Sequence, residues 1–137
     1  MELPPLPVTT ERLQIVDAAG RPRIVLSAES GAPSFVLIRE DGNAGMSVEL
    51  DDAGRPAVSL MNPEPQGPTA ALEVDDKGAH VLFARPGGAS SYLFLNNAGG
   101  SGVVLIDAEG RRKIMVMVSP DGTTTIERLD DAGVPLR

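Results

Sequence analysis

His80 is the chain's only histidine, and there is no cysteine. One imidazole and no thiol leave neither a histidine metal triad nor a thiolate metal site within a single chain. A Ser-His-Asp arrangement is possible on paper, with many serines and aspartates available, but no G-x-S-x-G elbow supports it. His80 follows a turn and begins an apolar run, so a solvent-facing or strand-edge position is expected of it. Paired carboxylates, able in principle to divide acid and base roles, occur at Glu40/Asp41, Asp51/Asp52, Asp75/Asp76 and Asp130/Asp131. Each pair falls in an expected turn, where water keeps both groups ionised. Calcium is the sharper alternative for these acids, but the dense D-x-D-x-D-G spacing that gathers ligands around one ion is missing. The glycine-rich stretches Arg85–Gly88 and Asn97–Gly102 precede no helix whose N-terminus could hold a phosphate. Arg111-Arg112-Lys113 is the only basic cluster, and Asp107 and Glu109 stand beside it. An ion pair between strands or subunits is the expectation there. These residues point to no catalysis, no cofactor and no metal.

The elements that would carry them are marked by glycine. Gly20, Gly31, Gly42, Gly54, Gly67, Gly78, Gly88, Gly99, Gly110, Gly122 and Gly133 recur every ten to thirteen residues. Most stand next to Asp, Asn, Pro or Ser in segments such as Asp17-Ala-Ala-Gly20, Asp51-Asp-Ala-Gly54 and Asp107-Ala-Glu-Gly110. Such segments reverse the chain, with glycine in the left-handed conformation and the Asp or Asn side chain bonded to nearby backbone. One strand and one turn fill each interval. The expected strands are 13–16, 23–27, 34–39, 46–50, 57–61, 69–74, 80–84, 91–96, 102–106, 113–118 and 124–128. No stretch of ten residues has a 3.6-residue apolar period, so no helix is expected.

The fold class is therefore all-β, about eleven short strands in consecutive antiparallel hairpins: a meander forming a sandwich, a barrel or a β-prism-like assembly. A parallel β-solenoid, with turns at its corners, is the alternative. Residues 1–11 carry Pro4, Pro5 and Pro7 and read as an extended arm, with one β-rich domain over 12–137. Residues 61–68, with three prolines, interrupt the rhythm as an irregular loop, a place for binding or a guard against edge pairing.

Composition narrows the partners. A formal charge of −7 is opposite to what phosphate neutralisation requires, which excludes nucleic acid and disfavours anionic membrane. No apolar stretch reaches a membrane span and no secretory signal is evident, so a cytoplasmic protein without membrane insertion is expected. Aromatics are only Phe35, Phe83, Tyr92 and Phe94. Strands such as Met46–Leu50 and Ala71–Val74 alternate and have one wet face. Phe35–Ile38, Tyr92–Leu95, Val103–Ile106 and Ile114–Val118 are apolar at consecutive positions and must bury both faces. Something has to cover the second face. The expected function is a non-catalytic structural or interaction module that associates with itself through apolar sheet faces, with Phe35, Leu37, Tyr92, Phe94, Val104, Ile106, Met115 and Met117 as the candidate surface. A closed homo-oligomer removes open edges, and the architectural likeness to fibre shafts and knobs suggests a trimer. Another protein is a further possible partner. A β-domain that binds a peptide or small molecule is the alternative function, and a pocket at Tyr92, Phe94 and Phe83 would favour it.

Overall fold

The computed structural model describes residues 8–136. Most of the Pro-rich arm, residues 1–7, lies outside the described residues. The remainder is one sheet of eleven strands: β1 (Arg12–Val16), β2 (Pro22–Ser27), β3 (Ser34–Ile38), β4 (Ala44–Leu50), β5 (Pro56–Leu60), β6 (Thr69–Val74), β7 (Gly78–Ala84), β8 (Ser90–Asn96), β9 (Ser101–Ile106), β10 (Arg112–Val118) and β11 (Thr124–Arg128). All the expected strands form, each within two residues of its expected ends. The strands lie side by side in chain order, every pair antiparallel. The described residues include no helix. Antiparallel pairing rules out the solenoid, and the sheet does not close, because β1 and β11 each have a single neighbour strand. Beyond β11 the chain doubles back, with Leu129 bridged to Pro135 and the Leu136 N–H donating to the Arg128 carbonyl at 2.7 Å.

Eight of the connections repeat one turn. In Asp17–Arg21 the Gly20 N–H donates to the Asp17 carbonyl at 2.9 Å and the Asp17 N–H to the Arg21 carbonyl at 2.9 Å. The same pair of bonds closes 39–43, 51–55, 85–89, 96–100, 107–111, 119–123 and 130–134. In all but 85–89 this is the three-residue hairpin loop in which a type I turn ends on a left-handed residue. Accordingly the register shifts once beside several of these turns, at Ile15/Val16, Leu37/Ile38 and Arg112/Ile114. The glycine expectation fails at two rungs, since neither Gly67 nor Gly88 has a positive φ. In Arg85–Ala89 it is Gly87 that turns left-handed (φ 59°). Pro86 fixes the first central residue of that turn near −65°, and a type II turn then needs glycine one place earlier.

A carboxylate locks each turn of the Asp-x-x-Gly-Arg type. Asp51 Oδ1 accepts from the N–H groups of Ala53 and Arg55, at 2.9 and 3.0 Å, while its Oδ2 accepts from Arg55 Nε at 2.7 Å. Asp17 with Arg21 and Asp107 with Arg111 repeat the arrangement. Each arginine then reaches the next turn along the same rim: Arg21 to Glu40 at 3.2 Å, Arg55 to Asp76 at 3.5 Å and Arg111 to Asp131 at 3.5 Å. Lys113 also pairs with Asp131, so Arg111 and Lys113 of the basic cluster both engage the turn that follows β11.

The turn bonds set a pH dependence. Backbone N–H donors hold the carboxyls of Asp17, Asp41, Asp51, Asp75 and Asp121 below the ordinary aspartate value, and Lys113 does the same for Asp131. In the window between their folded values and the unfolded value near 3.9, the unfolded chain binds more protons than the native one. Stability contributed by these groups is complete above about pH 4 and is lost as pH falls through the folded values. Urea midpoints at pH 7, 5 and 3 are expected to be similar for the first two and lower for the third.

The 61–68 loop is not an edge guard. Its flanking strands β5 and β6 pair with each other in mid-sheet. Two arginines from neighbouring turns hold it: Arg39 Nη1 donates to the Met61 carbonyl and Arg85 Nε to that of Gln66, both at 3.0 Å.

Candidate functional site

Register fixes which side chains share a face. Following cross-strand partners from Leu13↔Leu26 through Leu26↔Phe35, Phe35↔Val48, Val48↔Val58, Val58↔Leu72, Leu72↔Val81, Val81↔Leu93, Leu93↔Val103, Val103↔Val116 and Val116↔Ile126 traces one row across all eleven strands. The flanking rows on this face hold Ile15, Ile24, Leu37, Met46, Leu60, Ala70, Phe83, Leu95, Leu105 and Ile114. From β1 through β10 the paired residues of the face include no charged side chain; Arg128, on β11, is the first. We call it the apolar face.

It is also the more exposed one. In β10 the apolar-face residues Ile114, Val116 and Val118 are exposed, while Lys113, Met115 and Met117 on the other side are half-buried. β8 alternates likewise at Leu93 and Leu95 against Tyr92 and Phe94. Leu72, Phe83 and Leu93 stay 51, 54 and 57% exposed. Apart from Val8, Val16, Val134 and Leu136, every large exposed hydrophobic among the described residues belongs to this face. Among the described residues only Val104 and Leu129 are buried hydrophobics. The usual rule, apolar residues inward and polar outward, is inverted, because none of the described residues forms a layer over the apolar side.

The opposite face changes character along the sheet. Over β1 to β6 it presents Arg12, Gln14, Ser27, Ser34, Ser47, Glu49, Ser59 and Glu73 among small apolar residues. Over β7 to β10 it presents His80, Leu82, Tyr92, Phe94, Val104, Ile106, Met115 and Met117. Tyr92 and Phe94 stack obliquely, ring centroids 5.7 Å apart, and Phe94 and Met117 close over Gly102. Val104, 1% exposed, lies among them. An open hollow of about 460 Å³ lies beside this cluster, lined by His80, Leu82, Tyr92, Phe94, Asn96 and Lys77. His80 is half-buried within β7, its Nε2 3.0 Å from Glu73 Oε2 on β6. Phe83 points from the other face and does not line the hollow.

The eight residues read from sequence as one surface therefore divide. Phe35 and Leu37 belong to the apolar face, while Tyr92, Phe94, Val104, Ile106, Met115 and Met117 lie together on the other. Ile126, Leu93, Leu95 and Leu72, among the most exposed residues of the apolar face, are not among those eight. Tracking alternate positions through the turns would have found them, since each turn type fixes the register of the next strand. Among the described residues no three His, Asp or Glu side chains converge as a metal site, and no helix is long and apolar enough to cross a membrane. No protein-family model matches the chain, and no curated protein is detectably similar to it.

Proposed function

We propose that this protein is a non-catalytic structural or interaction module that associates with copies of itself. The carrying observation is a sheet face dominated by Leu, Ile, Val and Phe, with no layer over it among the described residues. The chain exposes 9752 Å², where a compact monomer of 14.3 kDa would expose roughly 6,800 Å². Ordinary monomers leave apolar patches of about 300–600 Å² at most. Covering the face supplies the burial that a single-layer sheet lacks. The turns suit a scaffold, since their ion pairs and backbone bonds are spent on one another.

Folding is then coupled to assembly, so the melting temperature depends on protein concentration. Thermal unfolding from 1 to 100 μM is expected to show a midpoint that climbs by several degrees. A concentration-independent midpoint, with a monomer mass at every concentration, contradicts self-association.

A second reading, a ligand-binding β-domain, draws on the hollow beside Tyr92 and Phe94. Tyr92 is the only tyrosine and there is no tryptophan, so tyrosine fluorescence reports on that hollow directly. Titration with short apolar peptides is expected to change it saturably if the hollow is a site, and Phe94→Ala is expected to abolish the response. No change across a peptide panel contradicts this reading.

A further inference from the structure

We propose that the apolar face is the interface with a second copy of this chain, two sheets stacked face to face about a two-fold axis into a two-layer sandwich. This rests on the self-association reading and names its surface and geometry. Eleven strands at about 4.8 Å spacing make a face about 50 Å wide, and strands of five to seven residues make it about 18 Å tall, roughly 900 Å² in all. A specific interface takes about 800 Å² from each partner. The face is therefore large enough to form a specific interface with a second copy. Stacking buries no charge from β1 through β10, so it meets no desolvation penalty from an unpaired ion. The charged turns lie along the two rims, outside the contact.

A two-fold fits better than the trimer suggested by fibre architecture. Packed sheets lie about 10 Å apart. Three faces of this width turned inward on a three-fold axis would stand mostly farther apart than that and leave the apolar rows facing a void. Two-fold stacking brings the central rows of the two sheets within reach of each other and sets Leu72, on the sixth of eleven strands, near the axis. The other face, with its polar half and the hollow beside Tyr92, then remains open to solvent.

The test uses the full chain and its natural lack of cysteine. Native mass spectrometry is expected to give a dimer for the parent protein and for Ser59→Asp on the other face. The double variant Leu72→Asp/Leu93→Asp is expected to weaken dimerisation at least about 100-fold. Should that variant unfold, thiol labelling decides instead. Leu93→Cys is expected to react far more slowly with a maleimide than Glu49→Cys, which stands exposed on the other face, and to gain reactivity on dilution. An assembled protein in which the two cysteines react equally overturns the face assignment while leaving self-association intact. A trimer mass with Leu93→Cys protected overturns the two-fold geometry alone. A monomer at every concentration overturns both, as does protection of Leu93→Cys that arises only with phosphatidylcholine vesicles, which would give the face to lipid.

Discussion

Gly78→Ala is expected to cost about 3 kcal/mol or more, the sum of backbone strain and overpacking, and so to lower the melting temperature by roughly 10 °C in a domain of this size. Gly78 opens β7 with φ at 148° and is buried. A Cβ there would stand 2.2 Å from the Leu95 carbonyl oxygen and 2.6 Å from the Asn96 Cα. Both obstacles are backbone of the neighbouring strand, so no side chain can move aside. The site cannot relax without parting β7 from β8, because Gly78 pairs with Asn96 and closes the two-residue turn to Asp75. Circular dichroism melts of the parent and variant at equal concentration check this. A change below about 1 kcal/mol would mean that the β7–β8 contact is looser than described.

Gly102→Val is the second. Gly102 lies in β9 beneath Phe94 and Met117, and even a Cβ would come within 2.5 Å of the Val116 carbonyl oxygen and 2.6 Å of Met117 Sδ. The branched side chain must displace Phe94, 3.1 Å away, from its place beside Tyr92. Overpacking of this kind costs about 1–3 kcal/mol. The effect has a local signature, because Tyr92 is the sole tyrosine. Its near-ultraviolet dichroism is expected to weaken along with the melting temperature. A stability loss with the Tyr92 signal unchanged would put the strain elsewhere in β9.

Gly102 stands off the glycine ladder, and Gly78, one of its rungs, closes a two-residue turn and not the repeated three-residue loop; the difference bears on what the sequence discloses. At Gly20, Gly54 and Gly110 a repeated local signal, Asp before and Arg after, names a turn that closes on itself. Local chemistry decides such a turn, so the strand positions could be read from the chain alone. Gly102 serves a contact between three strands, and only register reveals it. The faces were harder for the same reason. Phe35–Ile38 and Ile114–Val118 look apolar on both sides, yet which of their residues share a surface depends on parity carried through bulges at Leu37/Ile38 and Arg112/Ile114. Lost parity merged Phe35 and Leu37 with Tyr92 and Met115, which stand on opposite sides of one sheet. Whether the meander would close was beyond local reading altogether. Closure depends on twist accumulated over eleven strands, and no residue type marks it.

His80 illustrates a milder gap. A turn just before it suggested a strand edge or open solvent, but β7 begins two residues earlier, at Gly78, and carries His80 to a half-buried place opposite Glu73. The pairing needs β6 and β7 in register, which the two-residue turn at Asp76-Lys77 supplies.

The central claim is that the uncovered apolar face is met by another copy of the chain. Light scattering on the purified protein between 1 and 100 μM tests it most directly. The account predicts a mass of twice the 14.3 kDa chain, falling toward the monomer only on dilution. A well-folded particle of 14.3 kDa across the whole range would contradict it.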